Sequence, residues 1–540
     1  MGRELSVQVR AEERAFSVAA FGEEWFVCPV CVCVDADGVK DRDDTHLNLM
    51  EWSSEPMDGG VRYVWRTCSN LWKMKEYVLE VQADSARFFV RVEGKGKLDA
   101  LRFFGERAKY EASGYLLPVA DHADYERSLR MIDEPGRIGL GYFAPPCYVY
   151  PFRMPEVSGW LGVGLAARAG QYNFDEFLYT NDSQNACGFE LPLNGQTVVD
   201  GMWESQSLLF IPGCDAFDAV RNYAHWHYDR GWCVRKNRDN IPDWWRRPIF
   251  CGWGEQGSMQ KMRGRQADYA TQRDYTLMSE KLDEYGLHPG SIIIDDKWQQ
   301  SYGAALPDPE KWPDLRAFAD AEHAKGRRVL LWFRSWYPEG LKQEECVDWL
   351  CTACGADPTS GAYQARMRGV MRKLLSDAAG CFNCDGFKID FANCMPLGKY
   401  VTCHEKGVYG VELLKRFFVM MRDFAKAEKP DALINCSCAH PYFDEIVDQA
   451  RIHDYRGGMR SAPEVMGFRA KLAAAALPDV LIDTDAGGTG SRRDFRRWMK
   501  AQGRLGVPDL YWLTRTGEVP FDEEDIALIR ACWKDYEDRL

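Results

Sequence analysis

GFKIDF, residues 386–391, is a short apolar run with one glycine in front and two charges inside it. Its texture is that of a buried strand. Lys388 and Asp390 stand two residues apart, so both point to one face. An ammonium and a carboxylate at buried positions must pair with each other or serve a purpose, because burying either alone is costly. Two other runs repeat the pattern, IIIDD at 292–296 and ARIHD at 450–454, each apolar and each ending in a carboxylate. Carboxylates at the C-terminal ends of strands are what an active site on a parallel α/β barrel requires.

Working outward, eight candidate strands lie at 248–254, 291–296, 327–333, 386–391, 432–437, 449–454, 479–485 and 508–513. Segments of helical period such as LRAFADAEHAKG and VELLKRFFVMMRDFAKA separate several of them, and only the 437–449 connection is short for a full helix. Strand and helix alternating over this length predict a (β/α)8 TIM barrel. DEEDIALIRACWKDYEDRL, with acidic residues at its start, supplies the eighth helix, so the chain is expected to stop where the barrel closes.

Before the barrel the texture differs. SVQVRA, FSVAAF, WFVCPVCVCV, RYVWRTC, YVLEVQ, RFFVRVEG and SLLFIPG are β-branched and aromatic runs separated by turn residues. Strands without intervening helices predict a large N-terminal antiparallel β-sandwich, giving a multi-domain chain. An amphipathic helix follows at 216–232; its His225 and His227 face different sides, which makes a joint ligand role improbable. The polar linker KNRDNIPDWWRRP then marks the boundary between a domain at 1–235 and a barrel at 245–540.

Composition narrows the function. A net charge of −13 over 540 residues argues against a nucleic-acid partner, which needs clustered lysine and arginine. The N-terminus carries charges where a signal peptide needs an apolar core, and no run reaches the length of a membrane span, so a cytoplasmic location with no membrane partner is expected. Nineteen cysteines include the CxxC pairs 28/31, 351/354 and 381/384, but histidine support is scarce. Small buried thiols account for most of them, and neither metal nor cofactor is expected. A homo-oligomer is left open.

With these strands, Asp295, Asp296, Asp390, Asp454 and Asp485 reach the catalytic face, with Trp253, Trp298, Trp332, Arg334, Trp336 and Lys388 near it. Carboxylates accept sugar hydroxyls and flat indoles cover a pyranose face, so the set suits a neutral polyhydroxylated ligand. Cleaving a glycosidic bond needs one ionised and one protonated carboxyl. Lys388 beside Asp390 is expected to keep that carboxylate ionised.

FKID, preceded by IIIDDKWQ and followed by RIHD, resembles the α-galactosidases of glycoside hydrolase family 36. WPDLRAFADAEHAKGRRVLLWF and RRPIFCGWG are similar to the family's approach to its third strand and to its first strand, so the resemblance spans roughly residues 245–485. It implies a retaining α-glycosidase acting on an oligosaccharide or glycoside, with Asp390 as nucleophile and Asp454 as acid/base. Asp295 and Asp296 match the aspartates that hold sugar hydroxyls. Trp253, Trp298, Trp332, Arg334, Lys388 and Arg451 complete the expected binding set.

The chain also departs from the family. Lys297 stands where the family has glycine, and NCSCAHPYF, with Cys436 and His440 as the candidate contacts, replaces a glycine-rich sugar-binding motif. The family's C-terminal β domain does not follow. DDKWQ is similar to the raffinose-synthase branch, which transfers galactosyl groups, so transfer stands as an alternative to hydrolysis. A sugar-binding barrel without catalysis is the other alternative; it predicts loss of a catalytic carboxylate, and both are present.

Overall fold

The computed structural model describes residues 5–10, 12–42, 51–119, 123–181, 186–263, 270–455, 460–485, 491–516 and 519–540. The barrel strands are β1 (Ile249–Cys251), β2 (Ser291–Ile294), β3 (Arg328–Arg334), β4 (Gly386–Asp390), β5 (Leu433–Cys436), β6 (Gln449–Arg451), β7 (Leu481–Asp483) and β8 (Asp509–Leu510). Each lies within one of the eight runs expected from sequence, except that β3 extends one residue further. Neighbours pair in parallel from β1 to β7, and β8 pairs with β1. A parallel bridge between Asp483 and Val507 closes the ring. The strands are short and buried on both faces, which is why they read as unbroken apolar runs.

Helices follow most strands, several with the side-chain caps their sequences advertise. Asp314 accepts the Ala317 N–H, Ser360 the Tyr363 N–H, and Asp522 the Asp525 N–H. After β5 there is only a 3-10 turn, Pro441–Phe443, in keeping with the short connection. Gly386 opens β4 with φ +145°, and a Cβ there would lie 2.2 Å from the Leu433 carbonyl oxygen; only glycine lets β4 enter this close to β5.

The N-terminal region is antiparallel throughout. Its spine is the 25-residue strand Ala86–Tyr110, flanked by Met74–Gln82 and Ala186–Glu204. Phe16, Phe88 and Phe104 pack face and edge in its core. The helix Ala216–Asp229 leaves this sheet and meets the barrel helix Ala462–Ala476, with Phe217 and Phe468 in edge contact at 5.9 Å. Backbone bonds also tie the two regions: Ala144 N–H to the Ser437 carbonyl (3.0 Å) and Ala439 N–H to the Pro145 carbonyl (3.1 Å). The segment around Gly139–Tyr142 is thereby held at the barrel mouth. Among the described residues no helix is long and apolar enough to cross a membrane, and no cluster of three His, Cys, Asp or Glu is placed to hold a metal.

Candidate active site

A cavity of about 570 Å³ opens at the C-terminal ends of the barrel strands, within the range of small-ligand sites. Asp295, Asp296, Lys388, Asp390, Asp454, Trp253 and Trp332 line it, all named from sequence. Val119, Arg137, Leu140 and Tyr142 of the N-terminal region form the opposite wall.

Asp390 ends β4. Its Oδ1 accepts from Arg451 Nη2 at 2.7 Å and from the Phe391 N–H at 2.8 Å, and its Oδ2 accepts from Trp332 Nε1 at 3.2 Å. Burial opposes ionisation here. The charges of Arg451, first, and of Lys388 outweigh it and hold the carboxyl well below the usual carboxylate range. Asp390 is an anion at neutral pH.

Asp454 sits three residues beyond Arg451, 3.5 Å from Nη1 of the same guanidinium. Burial, then the nearby Asp485 charge, pushes its pKa up to about 7 despite Arg451. Nη1 also holds Asp485 Oδ2 at 2.9 Å, so Arg451 divides its charge among three carboxyls and the shortest contact belongs to Asp390. Arg469 fixes the loop that carries Asp454 by donating to the carbonyls of Ile452, His453 and Asp454 at 3.0–3.2 Å. His453 Nδ1 accepts the Asp454 N–H (3.0 Å), and burial, then Arg451, lowers the imidazole pKa to about 3, so the ring is neutral.

Four expectations are corrected. Lys388 helps keep Asp390 ionised, as expected, but does not pair with it: Nζ reaches Asp295 Oδ2 (2.8 Å) and Tyr511 Oη (2.9 Å), and Arg451 is the cation in contact with Asp390. Trp298 is fully buried, its indole N–H given to the Trp332 carbonyl at 2.8 Å, so it buttresses a pocket residue instead of facing sugar. Cys436 is fully buried and does not line the cavity. His440 is buried too, with Nδ1 accepting the Tyr442 N–H and Nε2 3.3 Å from Tyr223 Oη, which makes it part of the packing between the helix Ala216–Asp229 and the barrel. Arg334 and Arg451 are not among the residues that line the cavity; the Arg334 guanidinium adjoins it across the ring of Phe391, which is.

Sequence reasoning gave no site role to Arg137, Tyr142, Tyr302, Phe391 or Asn393. Tyr302 donates its hydroxyl to Asp296 Oδ1 (2.8 Å), while Asp295 Oδ1 accepts the Asp296 N–H. Burial raises the Asp296 pKa, with Tyr302 opposing the rise. Tyr142 meets the His453 ring edge-on at 4.4 Å. Non-glycine residues with left-handed φ follow five of the eight barrel strands: Lys297 (+78°), Trp336 (+65°), Phe391 (+58°), His453 (+67°) and Asp485 (+44°). Such residues gather where function constrains the backbone, and no composition signal announces them.

No protein-family model matches the chain, and no curated protein matches its sequence. Solved structures share its fold. The α-N-acetylgalactosaminidase of Bifidobacterium bifidum matches over 99% of this chain and 92% of its own at 12% identity, with a TM-score of 0.65. The α-galactosidase of Thermus thermophilus, solved with p-nitrophenyl α-D-galactopyranoside, matches over 90% and 95% at 14% identity, TM-score 0.55. The cycloalternan-forming enzyme of Listeria monocytogenes, solved with a pentasaccharide, matches over 97% of this chain at 10% identity, TM-score 0.56; this chain spans 56% of it. At these identities the likeness is one of fold.

Proposed function

We propose that the protein is a retaining α-glycoside hydrolase that takes a terminal α-linked sugar, galactose-configured on the family 36 resemblance, in the cavity where the region 1–235 meets the barrel 245–540. The observation that carries this reading is the opposite bias of two carboxyls on one guanidinium. Asp390 is held ionised while Asp454 is held protonated up to about pH 7.

In the first step the Asp390 carboxylate attacks the anomeric carbon. The bond to the leaving oxygen breaks, and that oxygen takes the Asp454 proton. Esterification removes the Asp390 charge, one of the influences that raise the Asp454 pKa, and frees the Arg451 contact that Asp390 had held. Both changes favour ionised Asp454, which then takes a proton from the water that cleaves the ester. The ligands solved with two fold neighbours, p-nitrophenyl α-D-galactopyranoside and a pentasaccharide, fit the same reading. The test is turnover of an aryl α-glycoside panel with proton NMR of the first-formed sugar. Retained configuration supports the proposal. An inverted product, or no turnover across the panel, ends it.

A further inference from the structure

Arg334 closes β3 directly opposite Asp390 of β4 in the strand register. Its guanidinium lies against three aromatic rings, 4.3 Å from the Tyr337 centroid, 4.6 Å from Phe391 and 5.0 Å from Tyr302. Two of these rings belong to the site: Phe391 lines the cavity, and Tyr302 holds Asp296. Stacking on ring faces leaves the in-plane N–H donors of a guanidinium unused. Among the described residues no carboxylate lies within ion-pair distance of Arg334, and no acceptor takes a hydrogen bond from it. Arg451 and Arg327, by contrast, are each bound to carboxylates. Two acidic residues share this corner: Asp296 accepts the Tyr302 hydroxyl at 2.8 Å, and Glu339 accepts the Tyr302 N–H at 3.0 Å.

A second cation stands at the same corner. Lys297 Nζ lies 5.0 Å from the centroid of the Tyr302 ring. Lys297 has φ +78°, a conformation glycine adopts freely and a side-chain-bearing residue only at a cost. A long cation stands at a backbone position that disfavours it. A single exposed lysine is ordinarily a solvated surface charge, and a stacked arginine is ordinarily packing. Two cations on one tyrosine that also holds a site carboxylate, with the Arg334 donors unmatched among the described residues, go beyond either.

We infer that the Arg334–Lys297–Tyr302 corner receives an oxyanion, so that the substrate is an acidic glycoside bearing a carboxylate or sulfate ester on the sugar or its aglycone. This rests on the glycosidase reading and narrows its substrate class: the neutral ligand expected from sequence gains one negative group. A guanidinium already seated between rings meets an oxyanion with little further ordering, and charge-assisted, bidentate bonds are the strong class.

The experiment measures kcat/KM for matched α-glycosides, neutral, uronic and O-sulfated, with each anion placed on the sugar or on the aglycone, at low and high NaCl. An acidic substrate is expected to exceed its neutral match by about tenfold or more, with the advantage shrinking in salt. The arm that wins identifies carboxylate or sulfate and its position. In Arg334→Gln the acidic-to-neutral ratio should fall towards one, and in Lys297→Gly it should fall in part. If Arg334→Gln does not fold, the wild-type ratio and its salt dependence decide alone. A wild-type ratio of one or below across all arms overturns the inference while leaving the glycosidase standing. Absence of turnover on every substrate would instead strike the parent proposal.

Discussion

Arg451 Nη2 and Asp390 Oδ1 meet at 2.7 Å between strands β6 and β4, both at the C-terminal end of the barrel. The guanidinium is 1% exposed and the carboxylate, which faces the cavity, 17%, so the pair is screened far less than a surface pair would be. Removing one partner of such a pair leaves the other buried and uncompensated, at a cost of about 3–5 kcal/mol. Arg451→Met is therefore expected to lower stability by that order in denaturant unfolding at neutral pH. The sign with pH follows from Asp390, whose folded pKa lies below its ordinary value. Its contribution is present above the ordinary carboxylate range and fades as pH falls towards the depressed value. The gap between wild type and variant should narrow in acid.

Asp390→Asn is expected to cut turnover at least about a thousandfold, since the amide cannot form the glycosyl ester. Azide or formate added to Asp390→Gly should restore part of the rate by occupying the vacated nucleophile position. Aryl-glycoside release with and without the anion is the measurement, and activity of Asp390→Asn near wild type would remove the assignment.

The rate of the wild-type enzyme should fall as pH rises through about 7, because Asp454 must enter the first step protonated. Asp390 stays ionised throughout the working range, so the acid limb of kcat/KM should lie well below pH 4. In Arg451→Met both carboxyls lose the cation that favours ionisation. Both limbs are then expected to move to higher pH. A pH–rate profile for each protein checks the direction.

Much of the barrel was legible because parallel strands buried on both faces appear as apolar runs, and carboxylates interrupt them only at their ends. The partner of Lys388 was not. Strand alternation places Lys388 and Asp390 on one face, but Asp295, 93 residues away in sequence, is the carboxylate within 2.8 Å across the barrel interior. Trp298 misled for a local reason: the left-handed turn at Lys297 redirects the chain, and the indole packs behind Trp332. Tyr142 and Arg137 belong to no motif at all. They enter the cavity because the N-terminal region docks on the barrel, a tertiary event that local pattern does not encode.

Asp454 and Asp296 both line the cavity, and the proposed mechanism gives them different work. If Asp454 protonates the leaving oxygen, Asp454→Asn should slow substrates with poor leaving groups by about 10²–10⁴-fold and activated aryl glycosides far less, since the latter depart without a proton. Asp296, anchored by Tyr302 and not bound to Arg451, grips sugar hydroxyls in the proposed mechanism. Asp296→Asn should then weaken all substrates of one sugar alike, whatever the leaving group. Part of that loss is expected in kcat, because hydroxyl contacts tighten in the transition state. The measurement is kcat/KM for both variants across aryl leaving groups of graded pKa. The wild type and Asp296→Asn should give similar slopes, and Asp454→Asn a steeper one. A steep slope for Asp296→Asn with an unchanged slope for Asp454→Asn would exchange the two roles and move the acid to the β2 end of the cavity.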